Sequence, residues 1–251
     1  MKLAGRHAVV TGGGKGIGAA VAHALSRAGA TLTVMGRDTA ALEIIAQEIQ
    51  AQPITVDLTD TGASARAFAD AAKLAGPVDI LINNVGAAES APIERTTQEL
   101  WQRMIALNMT IAFTCSQAVL PSMKQKGYGR IVNMASTASL KGYPYVAAYC
   151  AAKHGLLGLT RALAVETVKD GITVNAVCPG FTETDMLGRS VETIVSATGR
   201  SADEARNALI SANPLGRFIQ PEEVAAAVLW LCSREASAVT GQAITIAGGE
   251  L

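Results

Sequence analysis

The chain has 251 residues, 49% of them apolar, and its 21 Lys and Arg balance 21 Asp and Glu. That length suits one α/β unit with a large core, and a formal net charge of zero offers neither the basic excess expected of a nucleic-acid binder nor a Lys/Arg cluster for a membrane surface. The four cysteines form no CxxC pair and the three histidines lie far apart, a pattern of reduced thiols in a cytoplasmic protein without a bound metal.

In chain order, "RHAVVT" (6–11) reads as a strand and runs into the glycine turn "TGGGKGIG" and a helix over 17–28. Strand "TLTVMG" (31–36), a helix over 39–50 with Asp38 as its cap, strand "PITVD" (53–57) and a helix over 61–75 after Asp60 follow. Strand "VDILIN" (78–83) precedes a helix over 97–124 capped by Thr96 or Thr97. Strand "RIVNMAS" (130–136) leads to a helix over 147–169, and "ITVNAVC" (172–178) is the next strand. The stretch 181–220 is too long for an ordinary connection and is expected to hold one or two helices acting as a substrate lid, roughly 184–217. A helix over 221–233, with Pro221 in its first turn, and strand "QAITIA" (242–247) close the chain. Several strands are continuously apolar, as strands covered on both faces are. The alternation predicts a doubly wound parallel sheet with helices on both faces in a single α/β domain spanning 1–251. The longest late apolar run, "VAAAVLWLC" (224–232), is too short to span a membrane, and the N-terminal run is too short for a signal peptide.

The glycine turn lies on the first βα unit, where backbone N–H groups and a helix N-terminus receive a dinucleotide's phosphates. Strict G-x-G-x-x-G spacing is absent because position 17 is Ile, yet Gly12, Gly14, Lys15, Gly16, Ile17 and Gly18 remain candidate cofactor contacts. Arg37, just past the second strand, and Lys15 favour the 2′-phosphate of NADPH. Asp38 keeps NAD open, although it reads better as a helix cap.

Three of the four tyrosines, Tyr143, Tyr145 and Tyr149, fall in "KGYPYVAAYCAAKHG" (141–155). Only Tyr149 has a lysine, Lys153, four residues on along its own helix, on the same face, where an ammonium favours the phenolate. Ser136 closes a strand at its carboxyl end, where ligands sit in such sheets, and can hydrogen-bond a carbonyl oxygen beside Tyr149. Tyr143 and Tyr145 have no cation spaced to lower their pKa and read as pocket-lining or lid-packing residues.

"TGGGKGIG", "NNVG" (83–86), "LNM" around Asn108, "NMAS" ending at Ser136, "YCAAK" and "CPG" (178–180) occur in an order and spacing that resembles the short-chain dehydrogenase/reductase family over essentially the whole chain. The resemblance implies a single Rossmann-like domain with a seven-stranded sheet of order 3-2-1-4-5-6-7, and hydride transfer between a nicotinamide and a carbonyl or secondary alcohol. It implies Tyr149 as general acid in reduction, Lys153 as the group that lowers its pKa and holds the nicotinamide ribose, Ser136 as the carbonyl's orienter, and Asn108 as holder of a water linking Lys153 to solvent. Asp57 and Leu58 would flank the adenine, and Asn84 and Gly86 would line the cofactor. Pro179, Gly180, Thr182 and Thr184 would meet the nicotinamide amide and diphosphate. Val85 and Thr182 depart from the family's more usual residues, Thr182 at a cofactor contact.

Segments 175–186 and 213–231 resemble ketoreductases of acyl thioesters, which implies a 3-oxoacyl thioester on coenzyme A or acyl carrier protein as substrate, and a homotetramer or homodimer. The lid arginines Arg189, Arg200 and Arg206 are candidate phosphate contacts, and Arg217 is expected to pack the lid on the body. The alternatives are an NAD-dependent dehydrogenase of a 3-hydroxyacyl-CoA or other secondary alcohol, a non-catalytic dinucleotide-binding regulator, and a scaffold whose helices serve assembly.

Overall fold

The computed structural model describes residues 3–211 and 213–251. Seven strands, β1 (His7–Thr11), β2 (Thr31–Gly36), β3 (Gln52–Thr55), β4 (Ile80–Asn83), β5 (Gly129–Met134), β6 (Ile172–Pro179) and β7 (Ala243–Ile246), form one parallel sheet of order β3-β2-β1-β4-β5-β6-β7. The chain reverses direction across the sheet between β1 and β4, which opens a crevice beyond their carboxyl ends. Every residue of β1, β4, β5 and β6 is buried, which is why these strands are mostly apolar on both faces instead of alternating.

The helices are α1 (Gly16–Arg27), α2 (Thr39–Ile49), α3 (Thr61–Ala75), α4 (Gln98–Ile105), α5 (Ile111–Lys126), α6 (Ala147–Thr167), α7 (Asp185–Thr198), α8 (Ala202–Ile210) and α9 (Pro221–Cys232). One face of the sheet packs Val10, Val34 and Ile82 against Val21 and Leu25 of α1, Leu42 of α2 and Val228 of α9. The other packs Val9, Leu81 and Ile131 against Phe68 of α3, Val119 of α5 and Ala164 of α6.

Local chemistry sets the helix starts. Asp38 accepts from Ala41 N at 3.1 Å and Asp60 from Ala63 N at 2.9 Å. Thr97, not Thr96, caps α4, accepting from Leu100 N at 3.2 Å. Pro221 opens α9 inside a Gln220–Glu223 capping box.

The helix expected over 97–124 is two helices joined by a π-turn at Ala106–Thr110. Its extra residue brings Asn108 beneath the crevice. The whole stretch Gln98–Lys126 is long and apolar enough to cross a membrane by length and composition, but here its apolar residues cover the sheet. Between β4, β5, α5 and α6 runs a buried amide chain. Asn83 Nδ2 donates to Asn133 Oδ1 at 2.8 Å and to Ser116 Oγ at 3.2 Å, and Asn133 Nδ2 donates to Thr160 Oγ1 at 2.9 Å.

Candidate active site

Ser136, Tyr149, Lys153 and Asn108 come together at the carboxyl end of β5. The strand itself stops at Met134, two residues short of the expected end. Ala135 N still reaches Val177 O at 2.8 Å, but the Ser136 hydroxyl accepts from Ala138 N at 3.1 Å and starts a 3-10 turn over Thr137–Ser139. Ser136 thus keeps extended backbone while its side chain leaves the sheet. Tyr149, in the first turn of α6, is half-buried, and its hydroxyl lies close enough to Ser136 for the serine to favour the phenolate.

One turn further on, Lys153 is buried and its Nζ donates to Met134 O at 2.7 Å. The ammonium lies 5.7 Å from the centre of the Tyr149 ring. Burial lowers the Lys153 pKa to about 8. Burial also raises the Tyr149 pKa, against a smaller opposing contribution from the Ser136 hydrogen bond. The helical spacing of the pair predicts a lowered tyrosine pKa; in the protein without ligands, desolvation of both groups dominates.

Asn108 is fully buried, and its amide is committed to Ala87 and its own helix. Nδ2 donates to Ala87 O at 2.8 Å and Met104 O at 3.0 Å, and Oδ1 accepts from Ala87 N at 3.2 Å. A Cβ on Gly86 would stand 2.8 Å from Asn108 Oδ1 and 3.4 Å from Lys153 Nζ, so the β4 loop needs glycine there to pass over both.

The glycine turn is shaped by contact. A Cβ on Gly18 would collide with Gly12 O and stand 2.5 Å from Asn84 Nδ2. That amide donates to Thr11 O at 3.2 Å and Gly12 O at 3.1 Å and ties β4 to the turn. Gly16 has φ +52 and faces the Thr184 methyl, Gly14 lies against Ala41, and Ile17 packs on the α1 side of the core. No side chain caps the first turn of α1, so its N–H groups are available to a phosphate. The cradle fits a dinucleotide.

At the adenosine end, Arg37 is exposed. Lys15, expected to stand beside it as a free cation, pairs instead with Asp38 Oδ2 at 2.7 Å. Asp57 is exposed and held by Thr59, with N and Oγ1 donating at 2.9 and 2.7 Å, which lowers its pKa. The Leu58 side chain is buried in the core, so only its backbone can face a ligand. Beyond β6, Pro179 ends the strand and Gly180 N donates to Ile246 O at 3.0 Å. Thr182 is buried, bridges to Ile219 and donates to Gly180 O at 3.0 Å; Thr184 donates to Thr182 O at 3.2 Å.

Residues 12–250 match the family profile described as "Enoyl-(Acyl carrier protein) reductase". A crystal structure of a variant of actinorhodin polyketide ketoreductase with NADPH superimposes with a TM-score of 0.95 at 36% identity, covering 98% of this chain and 97% of that one. The chain belongs to the short-chain dehydrogenase/reductase family. The acetoacetyl-CoA reductase of Rhizobium meliloti is 38% identical over 98% of both chains. The D-beta-hydroxybutyrate dehydrogenase of Cupriavidus necator is likewise 38% identical over 98% of both. As a short-chain dehydrogenase/reductase, the protein is an oxidoreductase of the CH–OH/C=O couple that uses a nicotinamide dinucleotide.

Within this family framework the segment after β6 holds two helices, α7 and α8. Arg206, a candidate phosphate contact, is committed to Glu183 through Nη2 at 2.8 and 2.9 Å and lies over the Phe218 ring. Arg189 and Arg200 are exposed. Arg217 grips Glu223 of α9 with two contacts of 2.7 Å and so ties the end of this segment to the body. Tyr143 does have a cation beside it, Lys141, 5.0 Å from its ring centre; its hydroxyl pKa rises all the same, by burial and by a bond to Glu250. Tyr145 is exposed with φ +66, and its carbonyl accepts from Ala91 N at 2.7 Å. Glu250 and Lys141 are site neighbours that no motif marks, because their meeting depends on β7 returning the C-terminus beside β6.

Proposed function

We propose that the protein is an NADPH-dependent reductase of a ketone, with a 3-oxoacyl thioester of coenzyme A or acyl carrier protein as substrate. The observation that carries this reading is the convergence of the Tyr149 hydroxyl, the Ser136 hydroxyl and the buried Lys153 ammonium at the carboxyl end of β5. The ketoreductase and acetoacetyl-CoA reductase relatives support the direction and the substrate class.

In this reading the Ser136 hydroxyl donates to the ketone oxygen and sets it against Tyr149. When bound, the nicotinamide supplies the hydride. Tyr149 is a neutral phenol at pH 7, the form required of a general acid, and gives its proton to the oxygen as negative charge develops there. The Lys153 ammonium stabilises the resulting phenolate, and a water held near Asn108 returns the proton from solvent. Bringing a phenol from pKa 10 toward 7 takes about 4 kcal/mol of preference for the anion, which Lys153 supplies together with the positive charge of the oxidised ring.

NADPH is favoured because Arg37 stands exposed just past β2 with Lys15 on the same side, while Asp38 serves as the cap of α2 through Oδ1 and as the partner of Lys15 through Oδ2. The Lys15–Asp38 pair is exposed and therefore readily exchanged for a phosphate. Residues 184–217 serve as the substrate lid over a single domain. Exposed Phe113 on α5 and Val165 on α6 suit a homotetramer built through those helices, and four free buried cysteines suit the cytoplasm.

The test is a panel of acetoacetyl-CoA, longer 3-oxoacyl thioesters and simple cyclic ketones, each with NADPH and NADH. Turnover of a thioester with NADPH is expected; failure on every thioester would remove the substrate class. Tyr149→Phe should lower kcat by ~10²–10⁴-fold while NADPH still quenches protein fluorescence. Arg37→Ala should weaken NADPH by about tenfold or more and NADH by less than about threefold, and equal losses would point to NAD.

A further inference from the structure

The C-terminal turn carries the inference. The Glu250 side chain is 1% exposed although it is the last residue but one. Its Oε1 accepts from Lys141 Nζ at 3.0 Å and from the Tyr143 hydroxyl, and its backbone carbonyl accepts from the same ammonium at 3.3 Å. Tyr143 has one hydroxyl proton, and the carboxylate takes it. The 2.7 Å contact between Thr137 and Tyr143 is then a bond donated by Thr137. A directed chain therefore runs from Thr137 through Tyr143 to Glu250, with Lys141 closing it from the other side.

Thr137 immediately follows Ser136 and begins the turn on which the serine sits. Gly180 leaves room for this carboxylate, since a Cβ there would stand 3.0 Å from Glu250 Oε2. Tyr143 in turn meets Phe181 edge to face, with ring centres 6.3 Å apart.

An ion pair with one buried and one part-exposed partner, as Glu250 and Lys141 are, adds little net stability, because desolvation of the buried charge offsets the attraction. One fixed by several contacts to a single loop serves geometry. We propose that Glu250 is a positioning residue for the reaction: through Tyr143 and Thr137 it holds the 137–143 loop, and with it Ser136 and one wall of the ketone site. The proposal rests on the Ser136–Tyr149 reading of the active site.

Glu250→Gln keeps the shape and removes the charge that holds Lys141. It should raise the ketone KM by about tenfold with kcat within about threefold and the NADPH Kd within about twofold, the pattern of lost substrate positioning. Tyr143→Phe, which cuts the chain itself, should give the same split, and the double variant should be no worse than the poorer single one, because both loosen one loop. An unchanged KM, or fully additive losses, would overturn the proposal; where Glu250→Gln fails to fold, the Tyr143→Phe split decides alone. Hydrogen exchange in the ligand-free protein needs no substrate. Amides over 137–146 should exchange about tenfold faster in Glu250→Gln, with those of α9 unchanged. That readout stands even if the wild type reduces none of the panel ketones, and equal exchange in both proteins would also refute the proposal.

Discussion

Lys153 shows how the protonation of one buried side chain is coupled to stability. Its ammonium has a single backbone partner, Met134 O, and burial takes its pKa from 10.5 to about 8. That displacement amounts to about 3 kcal/mol against the charged form. Between pH 8 and 10.5 the unfolded chain holds more protons than the folded one, so stability rises with pH across that window, and the cost is fully present below pH 8. Lys153→Met should lose turnover, and its stability relative to wild type, from urea unfolding, should be most favourable near pH 7 and worsen steadily toward pH 10.5. A difference that did not vary with pH would mean that the lysine is not held charged in the core. The i, i+4 spacing of Tyr149 and Lys153 is readable from periodicity. The direction of the Tyr149 shift is not, because it depends on how deeply packing buries the pair.

At the scale of elements, the π-turn between α4 and α5 is the feature that a 3.6-residue period hides. An apolar run over 97–124 has the same composition whether or not one turn carries an extra residue, and the contacts that hold that turn come from Ala87, which is distant in sequence. Asn108 satisfies both the N–H and the C=O of Ala87. Asn108→Ala would leave both groups without their partner, so it should cost ~2–4 kcal/mol in urea unfolding and reduce turnover as the loop at Gly86 and Ala87 loses its support. A loss well under about 1 kcal/mol would mean that water replaces the amide. The early end of β5 has a similar cause, for Ser136 reads as the last residue of a strand until its hydroxyl bonds Ala138 N. That the segment after β6 holds one or two helices is legible from its length, and it holds two; the engagement of Arg206 by Glu183 is not legible, because 23 residues separate them.

Across the whole molecule the two ends of the sheet divide the work: the carboxyl ends carry the site, and the amino ends carry an acid-sensitive anchor. His7 is buried; Gly76 O, at 2.7 Å, can only accept, so Nδ1 bears the proton, and Nε2 accepts from Thr33 Oγ1 at 2.9 Å. Burial lowers the His7 pKa, as does Lys126, against the Gly76 hydrogen bond and the charge of Asp79, which raise it. The folded state therefore binds fewer protons than the unfolded one just below pH 6.5, and stability falls as pH drops through that region. Tm measured between pH 7 and 5 should fall more steeply for wild type than for His7→Asn, and parallel curves would clear His7 of the effect. The strands, the parallel sheet, the glycine cradle and the Ser136, Tyr149 and Lys153 triplet are all legible in the chain alone, because periodicity, turn chemistry and short spacings are local. Which charges neutralise one another is settled by packing: the sheet brings Lys15 to Asp38 and Lys141 to Glu250 from different βα units, and the fold of α8 back on the start of α7 brings Arg206 to Glu183.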